Sequence, residues 1–227
     1  MRLAQLRSEV LETARDLAKF GLVWMAGGTA CARDTESGLV AMTPSGLAYD
    51  GLQAEDIVLL NLQGEVVEGH YKPSCASELW LRFFQKRADI NAIVHTHSCY
   101  ATAFSVANQP IPIITETQAD WFGAPIPVAT YAHVEDEEFL SAPVEALGNG
   151  FGILLGRHGV LTFGKNLHDA LERALTLEEA AKTYSMACVI GTPELFSDAE
   201  ARRSFDFYHN RYGQKSTKGI IDVQDRK

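Results

Sequence analysis

Residues 93–100 read "IVHTHSCY" and residues 156–159 read "GRHG". Imidazole is the commonest protein metal ligand, so the spacing of these histidines matters. In a strand, residues i and i+2 share a face. His95 and His97 therefore project side by side, with Thr96 turned away. That arrangement lets two imidazoles reach one ion at about 2.0–2.1 Å each. Alone, a His-x-His pair equally suits a strand end whose rings bond water or backbone. His158 is the third candidate. It sits in a tight turn between two apolar runs, and Gly156 and Gly159 beside it allow close approach to the backbone. The three together suit a catalytic Zn²⁺, or another divalent ion, with an open coordination position. His70, His133, His168 and His209 lie in more polar or helical surroundings and read as surface residues.

The elements that must carry these side chains follow from periodicity and punctuation. Leu3, Leu6, Val10, Leu11, Ala14, Leu17 and Ala18 recur at helical spacing, with Gly21 ending the helix. "MAGGTACARD" is a glycine-rich bend leading into a strand, and "SGLVAMTPSG" is a short strand ending in a turn. "DIVLLNLQGEVVEG" reads as a hairpin around Gln63-Gly64. Residues 77–87 form a helix starting near Ser74 or Ser77. "NAIVHTH" is a strand and "SCYATAFSVA" a helix. "IPIIT" and "IPVATY" read as short strands flanking a turn at Phe122–Pro125. Asp136–Gly148 is helical, and "FGILLGRHGVLTFG" gives strand, turn, strand. Asn166 caps a long helix from His168 to about Ile190, and Ser197 caps a last one. The pattern does not alternate strand and helix regularly. It predicts an α/β fold in which a mostly antiparallel or mixed central sheet is covered by helices.

With 227 residues, 46 % of them hydrophobic, the chain can bury a sizeable core. No repeat or linker divides it, so residues 1–227 read as a single domain, with about 215–227 a polar tail that frays. The net charge of −9 and the lack of a basic stripe argue against nucleic acid as a partner. No apolar run approaches a membrane span, and the charge-interrupted N-terminus lacks a secretory core, so a cytoplasmic protein is expected. The four cysteines show no CxxC spacing and read as reduced thiols.

"TPSG" (43–46), "GEVVEGHYKPS" (64–74), "AIVHTHS" (92–98), "ADWFG" (119–123), "GRHGVLTFGKN" (156–166) and "RYGQ" (211–214) together resemble the class II aldolase/adducin family. Within it they are most similar to L-ribulose-5-phosphate 4-epimerase, then to L-fuculose-phosphate aldolase. The resemblance runs in order over nearly the whole chain. It implies that His95, His97 and His158 bind Zn²⁺, which acts as a Lewis acid on a ketose phosphate in retro-aldol chemistry. It implies a sugar-phosphate substrate held by Thr29, Ser45, Gly46, Ser74 and Cys75, the last two where a helix start favours an anion. On residues alone, Thr43–Gly46 is equally a proline turn. The resemblance also implies a homotetramer with active sites between subunits, in which Asp120 and Tyr212 act as acid and base from a neighbouring chain. Asp120 leans the reading toward the epimerase, an isomerase. A Tyr-Gly pair is shared with the aldolases, which are lyases, so Tyr212 does not discriminate. Asp120 alternatively only opens a turn, and Tyr212 alternatively packs on the surface.

Several positions depart from the family pattern. Thr29 stands where the family usually has Asn, and Cys75 stands for a second Ser. Ala76 occupies the position of the family's carboxylate and can neither bind metal nor carry a proton. Glu78, two residues on, is a candidate fourth ligand only if the helix begins later than in the relatives. It is otherwise a first-turn Glu favoured by the helix dipole. Glu116 replaces a Thr or Tyr; it is a replacement base or ligand, a charge that refuses a negatively charged substrate group, or an exposed strand-end residue. The expected activity is a metal-dependent, epimerase-like retro-aldol reaction. The alternatives are a class II aldolase cleaving a ketose or deoxysugar phosphate, and an adducin-like interaction protein without catalysis.

Overall fold

A computed structural model describes residues 1–213; the expected tail at 215–227 lies outside the described residues. The first helix, α1 (Ala4–Lys19), buries Val10, Leu11, Ala14 and Leu17, the stripe its periodicity predicts. It ends where Gly21 adopts φ +72°, and Gly21 N and Leu22 N donate back to Ala18 O and Leu17 O. Among the described residues eight strands form one sheet: β1 (Thr29–Arg33), β2 (Val40–Met42), β3 (Val58–Leu60), β4 (Val66–Glu68), β5 (Ala92–Thr96), β6 (Val128–Ala129), β7 (Gly152–Leu155) and β8 (Gly159–Gly164). Their order is β4-β3-β2-β1-β5-β8-β7-β6. Every pairing is antiparallel except β6 with β7, so the expected mixed, mostly antiparallel sheet is present.

The strand alternation sorts side chains to two faces. Cys31, Ile93 and Leu161 join the core formed with α2 (Ser77–Lys86) and α5 (Glu137–Leu147). Ala30, Ala32, Ala92 and Val94 face α1 and the start of α6 (Leu167–Ile190). A third cluster links Leu154 and Val160 to α3 (Cys99–Ala107), α4 (Glu116–Phe122), α6 and α7 (Asp198–Arg211). Among the described residues no helix is long and apolar enough to cross a membrane.

The caps fall where the sequence places them. Asn166 Oδ1 accepts from Asp169 N at 2.8 Å. Ser197 and Glu200 form a reciprocal capping box. One stretch corrects the sequence reading. "IPIIT" is not a strand. Pro110 and Pro112 lack the N–H a ladder needs, and only Ile111 bridges to Ile126. Thr115 then accepts from Gln118 N at 3.2 Å and starts α4. The Gln118 side chain closes the entry, accepting from Ile114 N and donating to Pro112 O. In "IPVATY" only Val128 and Ala129 form a strand, and they pair in parallel with β7.

Candidate metal centre

β5 lies between β1 and β8, and all five of its residues are buried. His95 is directly opposite Thr29 on one side and Leu161 on the other. His95 Nδ1 lies 2.9 Å from Val160 O. A carbonyl only accepts, so Nδ1 carries the proton and Nε2 keeps its lone pair. His97 follows the end of β5, and its Nε2 is buried with no hydrogen-bond partner among the described residues. His158 is held in the β7–β8 turn by its N–H donating to Leu155 O at 3.0 Å. Arg157, just before it, adopts φ 54°, the left-handed region that side chains rarely occupy. One ligand atom from each histidine lies within 4.8 Å of the others.

The rings are held neutral. Burial pushes all three imidazoles below their ordinary value, His95 furthest, and neighbouring imidazoles add to this for His95 and His158. A neutral ring with an unused nitrogen is the form a metal requires. The orphaned His97 Nε2 and the free His95 Nε2 therefore fit a divalent ion. A trio of nitrogen donors suits Zn²⁺ among common choices. Among the described residues no carboxylate or thiol joins the cluster.

Absent side chains make room for the rings. A Cβ at Gly159 would lie 2.5 Å from Thr96 O, 2.8 Å from His97 Cδ2 and 3.1 Å from His95 Cε1. A Cβ at Gly28 would lie 2.7 Å from His95 O. The expected phosphate residues adjoin the same face. Opposed residues of an antiparallel pair share a face, so Thr29 sits beside His95. Thr29 Oγ1, Ala76 N and Trp80 Nε1 all donate to Ser74 Oγ, at 3.3, 3.4 and 3.4 Å. The Trp80 ring is 5.4 Å from that of His95. Ser45 is joined to this loop through its N–H to Lys72 O at 2.9 Å, and Pro44 bridges Pro73. Ser45, Gly46 (φ +72°) and Cys75 are exposed.

Ala76 is buried in the core beside Trp80. Helix α2 begins at Ser77 with Ala76 as its N-cap, so no late start brings Glu78 inward. Glu78 is 70 % exposed and pairs with Arg82 at 3.7 Å, one turn along the helix. The candidate fourth ligand therefore stands outside the histidine cluster. Glu116 is also not a strand-end residue. It is the exposed first residue of α4, in a cleft with Arg202 and Arg203 of α7.

Asp120 and Tyr212 both adjoin Tyr208, and neither belongs to the His95, His97 and His158 cluster of this chain. Asp120 Oδ1 accepts from Ser204 Oγ at 2.7 Å. Tyr212 is 60 % exposed at the end of α7, stacked on Tyr208 at 5.1 Å. The Tyr208 hydroxyl is pushed up by burial, then by the Asp120 charge. Buried Arg173 ties this cluster to the far end of β8, donating to Trp121 O and Phe163 O. Phe163 is three residues from Val160, about 10 Å along the strand from the His95 contact. Trp80, Ser204 and Arg157 were not singled out by sequence reasoning. Only the positive φ before His158 had a trace there, in the glycines of "GRHG".

Residues 8–185 match the model of the class II aldolase and adducin N-terminal domain. The chain belongs to the class II aldolase/adducin family. An L-fuculose 1-phosphate aldolase is 30 % identical, with a TM-score of 0.88 over 92 % of this chain and 98 % of that one. YgbL from Klebsiella pneumoniae, described as a putative aldolase/epimerase/decarboxylase, is 27 % identical, with a TM-score of 0.78 over 89 % and 99 %. The L-fuculose-1-phosphate aldolase of Thermus thermophilus is 26 % identical, with a TM-score of 0.71 over 85 % and 100 %.

Proposed function

We propose that this chain is a divalent-metal enzyme, Zn²⁺ being the preferred ion, that cleaves a ketose phosphate by a retro-aldol reaction. The observation that carries this reading is the convergence of three neutral imidazoles, one with an orphaned nitrogen, beside the Thr29–Ser74 hydroxyls. A Zn²⁺ held by His95, His97 and His158 would supply Lewis acidity toward a carbonyl. Ser74 and Thr29 hydroxyls, with Ser45, Gly46 and Cys75 at the exposed rim, bind the phosphate. Trp80 and the buried strand ends wall off water on the core side. Asp120 and Tyr212 carry protons at their carboxylate and phenol oxygens, presented from a neighbouring copy in a homotetramer. The likeness to fuculose-phosphate aldolases supports cleavage. Asp120, held by Ser204 next to two tyrosines, supports a second reading in which the cleaved halves rejoin as a 4-epimer.

The test is incubation of the metal-loaded chain with L-fuculose 1-phosphate and, separately, L-ribulose 5-phosphate. Released dihydroxyacetone phosphate is the expected result. Conversion of the pentose to D-xylulose 5-phosphate without release selects the epimerase. A purified chain that takes up no divalent ion overturns both and leaves the non-catalytic adducin-like role.

A further inference from the structure

Helix α3 begins at Cys99, two residues after His97, with Ser98 as its N-cap. A serine there ordinarily accepts from the first-turn amides. Ser98 makes no such bond, and its oxygen accepts from Thr96 Oγ1 at 3.3 Å instead. The open amides are taken by Glu178, which reaches across from α6. Its Oε1 accepts from Tyr100 N and its Oε2 from Ala101 N, both at 2.9 Å.

We infer that Glu178 is a positioning residue for the metal centre, holding the strand exit that carries His97 and neutralising the positive end of α3 beside it. The inference rests on the metal-binding reading above. Its geometric part comes from a contrast between two ligands. The His95 ring is oriented by its bond to Val160 O. His97 Nε2 has no hydrogen-bond partner among the described residues, so that ring depends on where its backbone is set. Thr102 N to Ser98 O at 2.9 Å continues α3 directly from the residue after His97, so anchoring the helix start anchors the ligand. Its electrostatic part follows from the helix dipole. About half a positive charge resides at a helix N-terminus, which uncompensated would oppose a dication nearby. A carboxylate bonded to two of the amides removes that opposition.

The test is titration of the metal-free full-length chain with Co²⁺, followed by calorimetry and by the visible absorption band, with thermal melting of the metal-free chain alongside. The parent chain should take up about one equivalent. Glu178→Ala should bind Co²⁺ about 10–100-fold more weakly, with an altered band, as loss of an outer-shell partner does. Glu178→Gln keeps one acceptor oxygen but no charge and should fall between the two. Glu179→Ala, on the exposed neighbour, should match the parent. A Glu178→Ala chain that melts lower yet binds Co²⁺ within about twofold of the parent, with the same band, has lost only a helix cap and overturns the inference. If that variant does not fold, Glu178→Gln decides by the same criterion. A parent that binds no Co²⁺ removes the metal-binding reading itself, whereas equal binding by parent and variant removes only the role of Glu178.

Discussion

The histidine centre and the Asp120–Tyr212 cluster are built on opposite principles. The first is assembled from a central strand and an adjoining turn. Its rings are fixed by register, by a carbonyl and by glycines that leave room for them. The second rides on α4 and α7, which clasp each other at the periphery through Ser204–Asp120 and the tilted Trp121–Tyr208 ring pair. The first is buried at His95 and half-buried at His97 and His158, and its three histidines come from one chain. The second faces outward, with Tyr212 in solvent. A strand-built ligand set is fixed by register, whereas the helical cluster leaves the Tyr212 phenol at the surface of the chain.

The contrast is sharpest when each half is removed. His97→Ala should abolish metal uptake and lower turnover at least about a thousandfold, roughly 4 kcal/mol of transition-state stabilisation. Retained metal, measured by elemental analysis, would show that the centre is not the three-histidine set. Asp120→Asn and Tyr212→Phe should each lower kcat about a hundredfold or more while metal content stays at the parent level. If the proposed homotetramer pairs the two halves across an interface, mixing Asp120→Asn chains with His97→Ala chains should then restore part of the activity. A mixture as inactive as its components would place both halves in one chain.

Gly159→Ala should cost about 1–3 kcal/mol in chemical denaturation and weaken metal uptake, because the added carbon meets Thr96 O and two rings. Gly51→Ala, where nothing lies within 4 Å, should do neither. Acid separates the regions more gently. The folded chain binds protons on His95, His97 and His158 only below their ordinary 6.5, while the unfolded chain binds them at 6.5. Stability from these rings is thus fully present above that value and is lost as pH falls toward the folded values. The melting temperature of the metal-free chain should fall between about pH 7.5 and 5.5; a flat profile would mean the rings are not held neutral. The smallest effect belongs to Glu116→Gln, which should stay within about 0.5 kcal/mol of the parent and keep its activity.

The centre is legible in the sequence because strand period two and a glycine-flanked turn are local signals. The same holds for α1, α6 and α7, whose caps and stripes are contiguous. What was not legible depends on distant partners. Helix α4 hid behind β-favouring isoleucines: its Thr115 cap is a local signal, but the non-strand path into it is set by Gln118 folding back on Pro112. The gap at Ala76 could be read directly, but what surrounds it could not. Trp80 comes from the next turn of α2 and touches both Ser74 and His95 only in three dimensions. Glu178 lies 78 residues from the amide it meets at Tyr100, and no periodicity connects them.

The order of the sheet also bears on how copies of this chain meet. Its two outer strands, β4 and β6, span three and two residues. Glu68 at the end of β4 is engaged by Arg7, and its two oxygens accept from Arg2 N. Among the described residues, so little open backbone at either margin offers a poor template on which a second sheet could grow. In the proposed homotetramer the contacts would then join side-chain surfaces of helices and loops, a kind of contact that can be tuned or dissolved by single substitutions without disturbing a strand.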